Sequence, residues 1–161
     1  MLTKAGKALT AKGIKPICTF QQVFKSTYVF GAFSPINGSS LLLELPACNA
    51  NAFQTFLNHL SKQDETELKI MVLDNGAFHK ASSLVIPDNI ALIFLPPYSP
   101  ELNPAEKIWA RLKKAFSNRL FKTLDDLSVF IQEHATKLEA KVIQSTCRFK
   151  YITDAKMWAK L

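Results

Sequence analysis

Leu68-Lys69-Ile70-Met71-Val72-Leu73-Asp74-Asn75-Gly76 reads as a strand that stops on a carboxylate. The run is apolar except for Lys69, as expected of a strand buried on both faces, and Asn75-Gly76 turns the chain sharply after Asp74. A second run of this kind, Ile90–Leu95, follows, with room between the two for a short helix through Leu84. Pro96-Pro97-Tyr98-Ser99-Pro100 is too rigid and too poor in N–H groups to continue either element, so the next helix is expected from Pro104 to about Asn118. Upstream, Gln22–Phe33 is rich in β-branched and aromatic residues, which predicts a strand. Ser34–Ser39 is a turn in which Asn37-Gly38 suits positive φ, and Leu41–Leu45 returns to complete a hairpin. Asn49 is placed to cap a helix from about Ala50 to Ser61, with Phe53, Phe56, Leu57 and Leu60 at helical spacing. Thr123, with Asp126 three residues on, caps a further helix to about Leu138, and one or two short helices close the chain. Hairpin, helix, strand, helix, strand and then helices make an α/β protein with a mixed sheet.

A chain of 161 residues, 48% hydrophobic and 20% charged, suffices for one domain with a genuine core. No apolar run approaches the roughly 18–20 residues that span a bilayer, and Lys4, Lys7, Lys12 and Lys15 interrupt any secretory signal. Cys18, Cys48 and Cys147 are far apart and in no metal-ligand spacing, which fits a reducing cytoplasm. The formal net charge of +7 is unevenly spread. Five lysines and no Asp or Glu precede Glu44, and a second basic run covers Lys107, Arg111, Lys113, Lys114, Arg119 and Lys122. Basic stretches attract polyanions by releasing condensed counterions; a merely solvated surface is the plainer reading.

Asp74 and Glu106 are the candidate catalytic pair. Sites in open α/β sheets form outside the carboxyl ends of strands, where Asp74 stands. It is also the first residue of an Asp-Asn-Gly turn, a common structural role for Asp. Asn103-Pro104-Ala105-Glu106 likewise has a structural reading as a cap, with Asn103 as N-cap, Pro104 at the first helical position and Glu106 three residues after the cap. On that helix Ile108, Trp109, Leu112 and Phe116 form an apolar face, and Lys107, Arg111 and Lys114 form a basic stripe. Glu106 lies at the boundary between them.

Leu73-Asp74-Asn75-Gly76-Ala77-Phe78-His79-Lys80, followed by Leu95-Pro96-Pro97-Tyr98-Ser99-Pro100-Glu101-Leu102-Asn103-Pro104-Ala105-Glu106-Lys107-Ile108-Trp109, closely resembles the catalytic region of bacterial insertion-sequence transposases related to mariner elements, members of the DDE superfamily of endonucleases. The family's Asp-Asn-x-x-x-His aspartate and Asn-Pro-x-Glu glutamate correspond to Asp74 and Glu106, with 31 residues between them. Val29-Phe30-Gly31-Ala32-Phe33 and the helix after Asn49 also look like the family pattern. The resemblance implies an RNase H-like fold and a two-metal Mg²⁺ site in which Mn²⁺ can substitute, with Asp74 and Glu106 as ligands. It further implies DNA as partner (element ends and a TA target), a homodimer in the synaptic complex, and a cytoplasmic, nucleoid-associated location.

The departure lies upstream. The acidic residues before Asp74 are Glu44, Asp64, Glu65 and Glu67. None suits the family's first aspartate, which comes from the central first strand of the sheet. The expectation is one partial catalytic domain over 1–161, without that strand and without the family's N-terminal helix-turn-helix. It would be completed by the upstream half of the same transposase through frameshifting, or be an eroded copy; a non-catalytic DNA-binding or dimerisation fragment is the alternative. Asn75 either orients Asp74 or makes the turn, and His79 either supports the site or is a satisfied structural histidine. Lys12, Lys15, Tyr98, Lys107, Arg111 and Lys114 are the expected DNA contacts, Tyr98 by stacking on a base. Trp109 is expected in the core.

Overall fold

The structure is a computed structural model that describes residues 11–13, 26–117 and 119–154. Tyr28–Phe33 (β1) and Ser40–Leu45 (β2) form the expected hairpin, antiparallel and in register from Tyr28 opposite Leu45 to Phe33 opposite Ser40. The earlier part of the predicted first strand, Gln22–Lys25, lies outside the described residues. Gly38 takes a φ of +76° in the turn, and Ser39 N–H donates to Asn37 Oδ1 at 2.9 Å, an Asx turn that fixes the reversal.

Asn49 caps α1 (Ala50–Gln63) as predicted, its side chain accepting from Ala52 N–H at 2.9 Å. Lys69–Leu73 (β3) and Ile90–Phe94 (β4) pair in parallel, joined through a short 3₁₀ turn at Ala77–Lys80. The helices α2 (Ala105–Phe116), α3 (Leu124–Ala135), α4 (Ala140–Cys147) and α5 (Lys150–Thr153) follow. At α3 the predicted capping box is complete: Thr123 Oγ1 accepts from Asp126 N–H, and an Asp126 carboxylate oxygen accepts from Thr123 N–H.

Two cores follow from the period-2 alternation of the hairpin. Phe30 and Ala32, with Leu41, Leu43 and Leu45, turn to α1 and pack with Phe53, Phe56, Leu57 and Leu60. Val29, Phe33 and Leu42 turn the other way, to Ile108, Leu112 and the helices beyond. Trp109 meets that second core from its margin, edge-on to Phe33 with ring centroids 5.6 Å apart. Gly31 makes this possible, since a Cβ there would fall 2.8 Å from the indole. The α1 core also takes in Met71, Leu73, Ile90 and Leu92, so α1 lies across both strand pairs.

The sheet differs from expectation in two respects. Among the described residues the strands form two separate two-stranded sheets, β1-β2 and β3-β4, instead of one continuous mixed sheet. And β3 is not buried on both faces: Met71 and Leu73 pack against α1, but Leu68 is 63% and Ile70 41% exposed. Among the described residues β3 is hydrogen-bonded to β4 alone.

Candidate active site at the end of strand β3

Asp74 follows β3 directly, and its side chain is 63% exposed. The turn reading of this residue is correct as far as it goes: Asp74 Oδ1 accepts from Gly76 N–H at 2.9 Å. That oxygen also lies 3.0 Å from His79 Nδ1. The other carboxylate oxygen has no hydrogen bond among the described residues.

The His79 ring is packed against Phe53 and Phe78, with centroid distances of 4.6 and 4.1 Å. Burial holds its pKa below the ordinary histidine value, against the opposing pull of the Asp74 carboxylate. His79 is therefore neutral at pH 7, and the tautomer protonated on Nδ1 donates to Asp74. It is a packed residue whose Nδ1 lies within hydrogen-bond reach of the Asp74 carboxylate. Because the folded-state value is depressed, the folded protein binds this proton less readily than the unfolded chain. Stability from this group is complete above the ordinary value of about 6.5 and declines as pH falls through the lower folded value. Melting temperatures measured between about pH 7 and pH 5 are expected to fall more steeply for the native chain than for His79→Asn; equal slopes would contradict this assignment.

The side chain of Asn75 bonds beyond the turn. Its amide N–H₂ donates to the Leu95 carbonyl and its Oδ1 accepts from Lys80 Nζ. It clamps the ends of β3 and β4 together and anchors the first basic residue beyond the site. Lys80 also stands 4.8 Å over the Phe94 ring. Its place beside the site was signalled by its position directly after His79, but its role required the fold.

Glu106 lies in the first turn of α2. The expected cap is present with a one-residue shift: Asn103 Oδ1 accepts from Ala105 N–H at 3.1 Å, and helical geometry is assigned from Ala105. Glu106 does not close a capping box, unlike Asp126 in α3; its exposed carboxylate has no hydrogen-bond partner among the described residues. The side chain is thus left to other uses. Asp74, His79, Asn103, Glu106 and Trp109 line one cavity of about 240 Å³ beside the ends of β1 and β3.

The other expected contacts are dispersed. Tyr98 is fully exposed on the proline loop with a φ of +57°, a left-handed conformation that costs a non-glycine residue about 1–2 kcal/mol. Arg111 and Lys114 are exposed on α2. Lys107 is turned toward α5, its Nζ 4.3 Å over the Phe149 ring. Lys12 is exposed in a short turn, and Lys15 lies outside the described residues.

As donors for a metal, Asp74 and Glu106 suit a hard divalent cation in kind, since both offer carboxylate oxygens. Two carboxylates with retained waters suit Mg²⁺; no cluster of three or more His, Cys, Asp or Glu residues that could hold a metal occurs among the described residues. No helix among the described residues is long and apolar enough to cross a membrane.

A family model described as DDE superfamily endonuclease matches residues 3–128, a span that includes Asp74 and Glu106. The protein y4pE/y4sA of Sinorhizobium fredii is 41% identical over 102 residues, which cover 62% of this chain and 76% of that protein. Among solved structures, the Mos1 transposase paired-end complex with the left transposon end superposes with a TM-score of 0.67 at 18% identity, over 90% of this chain and 47% of that one. The Mos1 strand transfer complex gives a TM-score of 0.66 at 16% identity, over 98% of this chain and 48% of that one. The Mos1 mariner paired-end complex with Mn gives 0.61 at 18% identity. The chain therefore spans about half the length of these solved chains. At such identities the likeness is one of fold, RNase H-like, in agreement with the sequence resemblance.

Proposed function

Because the chain belongs to the DDE superfamily endonucleases, we propose that it is part of a transposase that cleaves DNA strands and transfers them in a metal-dependent reaction, with Asp74 and Glu106 as two of its three catalytic carboxylates. The observation that carries this reading is the meeting of Asp74 and Glu106 on one cavity, with a Glu106 carboxylate that no cap consumes. Residues 1–161 form one partial catalytic domain. The upstream half of the same transposase supplies the first aspartate, and the assembly works as a dimer on element ends and target DNA in the cytoplasm.

Asp74 and Glu106 would hold Mg²⁺, or Mn²⁺ in its place. When bound, such ions supply charge stabilisation of the phosphodiester oxygens and a nucleophile at neutral pH. The chain's own residues do the positioning. Gly76 N–H and His79 fix one oxygen of Asp74 and leave the other without a hydrogen bond among the described residues. Arg111, Lys114 and Lys12 neutralise backbone phosphates, so affinity for DNA falls steeply with salt. Lys107 is exposed and held over the Phe149 ring. The exposed ring of Tyr98, held in a strained loop, is placed to stack on an unpaired base.

The purified chain alone is expected to show little or no Mg²⁺- or Mn²⁺-dependent nicking of supercoiled DNA carrying the element ends. Co-expression with the polypeptide encoded upstream of Met1 is expected to restore it. Robust nicking by the chain alone, removed by Asp74→Asn, would contradict the proposed incompleteness. The absence of a three-ligand cluster among the described residues favours a second reading, a non-catalytic DNA-binding or dimerisation fragment. Failure of any upstream polypeptide to restore nicking, with DNA binding intact, would establish that reading instead.

A further inference from the structure

Residues 96–104 carry four prolines, Pro96, Pro97, Pro100 and Pro104, so the segment that leads into α2 has few N–H groups with which to hold itself. The backbone bonds it does make are local. Leu102 N–H donates to the Ser99 carbonyl, Asn103 N–H to the Pro100 carbonyl and Glu106 N–H to the Asn103 carbonyl. Bonds over three residues have poorer geometry than those of an α-helix. Glu106 depends on this entry. Its carboxylate has no hydrogen-bond partner among the described residues, so its place is set by the backbone of the first turn of α2. Asp74 differs in having Gly76 N–H and His79 Nδ1 on one of its oxygens.

The outside restraint comes from the last helices described. Buried Ile143 and Cys147 seat α4 in the helical core, and Cys147, Phe149 and Tyr151 then reach three points on either side of Glu106. The Tyr151 hydroxyl donates to the Leu102 carbonyl. The Cys147 thiol, a weak donor, stands 3.9 Å from the Pro104 carbonyl. The Phe149 ring lies 4.3 Å from Lys107 Nζ and meets the Tyr151 ring edge-on at 5.9 Å. Burial pushes up both the Cys147 thiol and the Tyr151 phenol, so each keeps the proton it donates. α4 and α5 lie beyond residues 3–128, the span of the family match.

We propose that Tyr151 is a positioning residue for Glu106, holding the Leu102 carbonyl so that the first turn of α2 presents the carboxylate to the cavity it shares with Asp74. The inference rests on the reading of Glu106 as a metal ligand. Glu106 N–H is already committed to the Asn103 carbonyl, and the hydroxyl is what the Leu102 carbonyl accepts from. Replacing Tyr151 by Phe keeps the ring against Phe149 and takes that donor away. The entry to α2 then loosens, and a ligand displaced by about 1 Å loses much of its worth.

The test is a Mn²⁺ titration of chain 1–161, read from paramagnetic broadening of the Asn75 and Lys107 amide resonances. In Tyr151→Phe the Mn²⁺ concentration that half-broadens Lys107 is expected to rise about tenfold. The ring stays, so the variant folds, and its melting temperature should fall by only about 2–4 °C. Adding Tyr151→Phe to Glu106→Gln should weaken Mn²⁺ binding no further than Glu106→Gln alone, because the hydroxyl acts through that carboxylate. A tyrosine that serves stability alone would lower the melting temperature and leave the Mn²⁺ affinity as it was, and that result would overturn the proposal. Additive losses in the double variant would do the same. A native chain in which Mn²⁺ never broadens Lys107 would also overturn it, and would leave the transposase reading to the nicking test. An affinity indifferent to Glu106→Gln would refute the metal reading and the proposal with it, whereas a loss in Glu106→Gln that Tyr151→Phe does not share removes the positioning role alone.

Discussion

In the protein completed by its upstream part, Glu106→Gln should reduce metal-dependent nicking on the order of 10³-fold or more, with little change in melting temperature or in DNA binding. Both halves of this expectation follow from the surroundings of the side chain. Glu106 is exposed and makes no hydrogen bond among the described residues, so the neutral amide removes nothing that holds α2 in place. A Glu that served only as a helix cap would give the opposite result, a loss of about 1 kcal/mol of stability and normal nicking. Asp74→Asn makes the same distinction at the other carboxylate. The amide oxygen of Asn still accepts the Gly76 N–H, so the turn survives, but the charge is lost. If Asp74 merely made that turn, nicking would persist; the account requires a loss as large as that of Glu106→Gln. Full activity in either variant removes that residue from the site.

Gly38→Ala is expected to be among the most destabilising single substitutions in the chain. Gly38 has a φ of +76°, and a Cβ there would lie 2.6 Å from both Cβ and the carbonyl oxygen of Ala140 and 2.7 Å from its Cα. The left-handed conformation costs a residue with a side chain about 1–2 kcal/mol. The clash adds roughly 1–3 kcal/mol, because backbone at the first residue of α4 cannot step aside as a flexible side chain would. A total of about 3 kcal/mol would lower the melting temperature by roughly 6–12 °C in a domain of this size. Gly13→Ala provides the comparison. Its φ is +89°, but nothing lies within 4 Å of the added Cβ, so only the conformational part, about 1 kcal/mol, is expected. Equal melting temperatures for the two variants would show that the hairpin turn does not rest on α4.

Much of the architecture was readable from local signals. The alternation in Tyr28–Phe33 and Leu41–Leu45, the Asn37-Gly38 turn, the Asn49 and Thr123 caps and the proline run are all short-range features, and each appears where its chemistry dictates. Asp74 and Glu106 were identifiable as a pair only through the two-part motif, since turn and cap chemistry accounts for each position by itself. What the sequence left open depends on contacts between distant residues. The packing of His79 on Phe53 makes it neutral, and the reach of Asn75 to the Leu95 carbonyl makes it a clamp. Neither could be derived from spacing. The reading of β3 as buried on both faces failed for the same reason: Leu68–Leu73 has the composition of a central strand, but composition does not say what packs on each face. Leu68 and Ile70 remain exposed and line a larger cavity than that of Asp74 and Glu106.

The central claim, that Asp74 and Glu106 together hold a divalent cation, is tested most directly by Mn²⁺ titration followed by electron paramagnetic resonance on the completed protein and its Asp74→Asn and Glu106→Gln variants. Saturable binding by the native protein and at least about tenfold weaker binding in each variant are expected. Mn²⁺ affinities unchanged in both variants would contradict it.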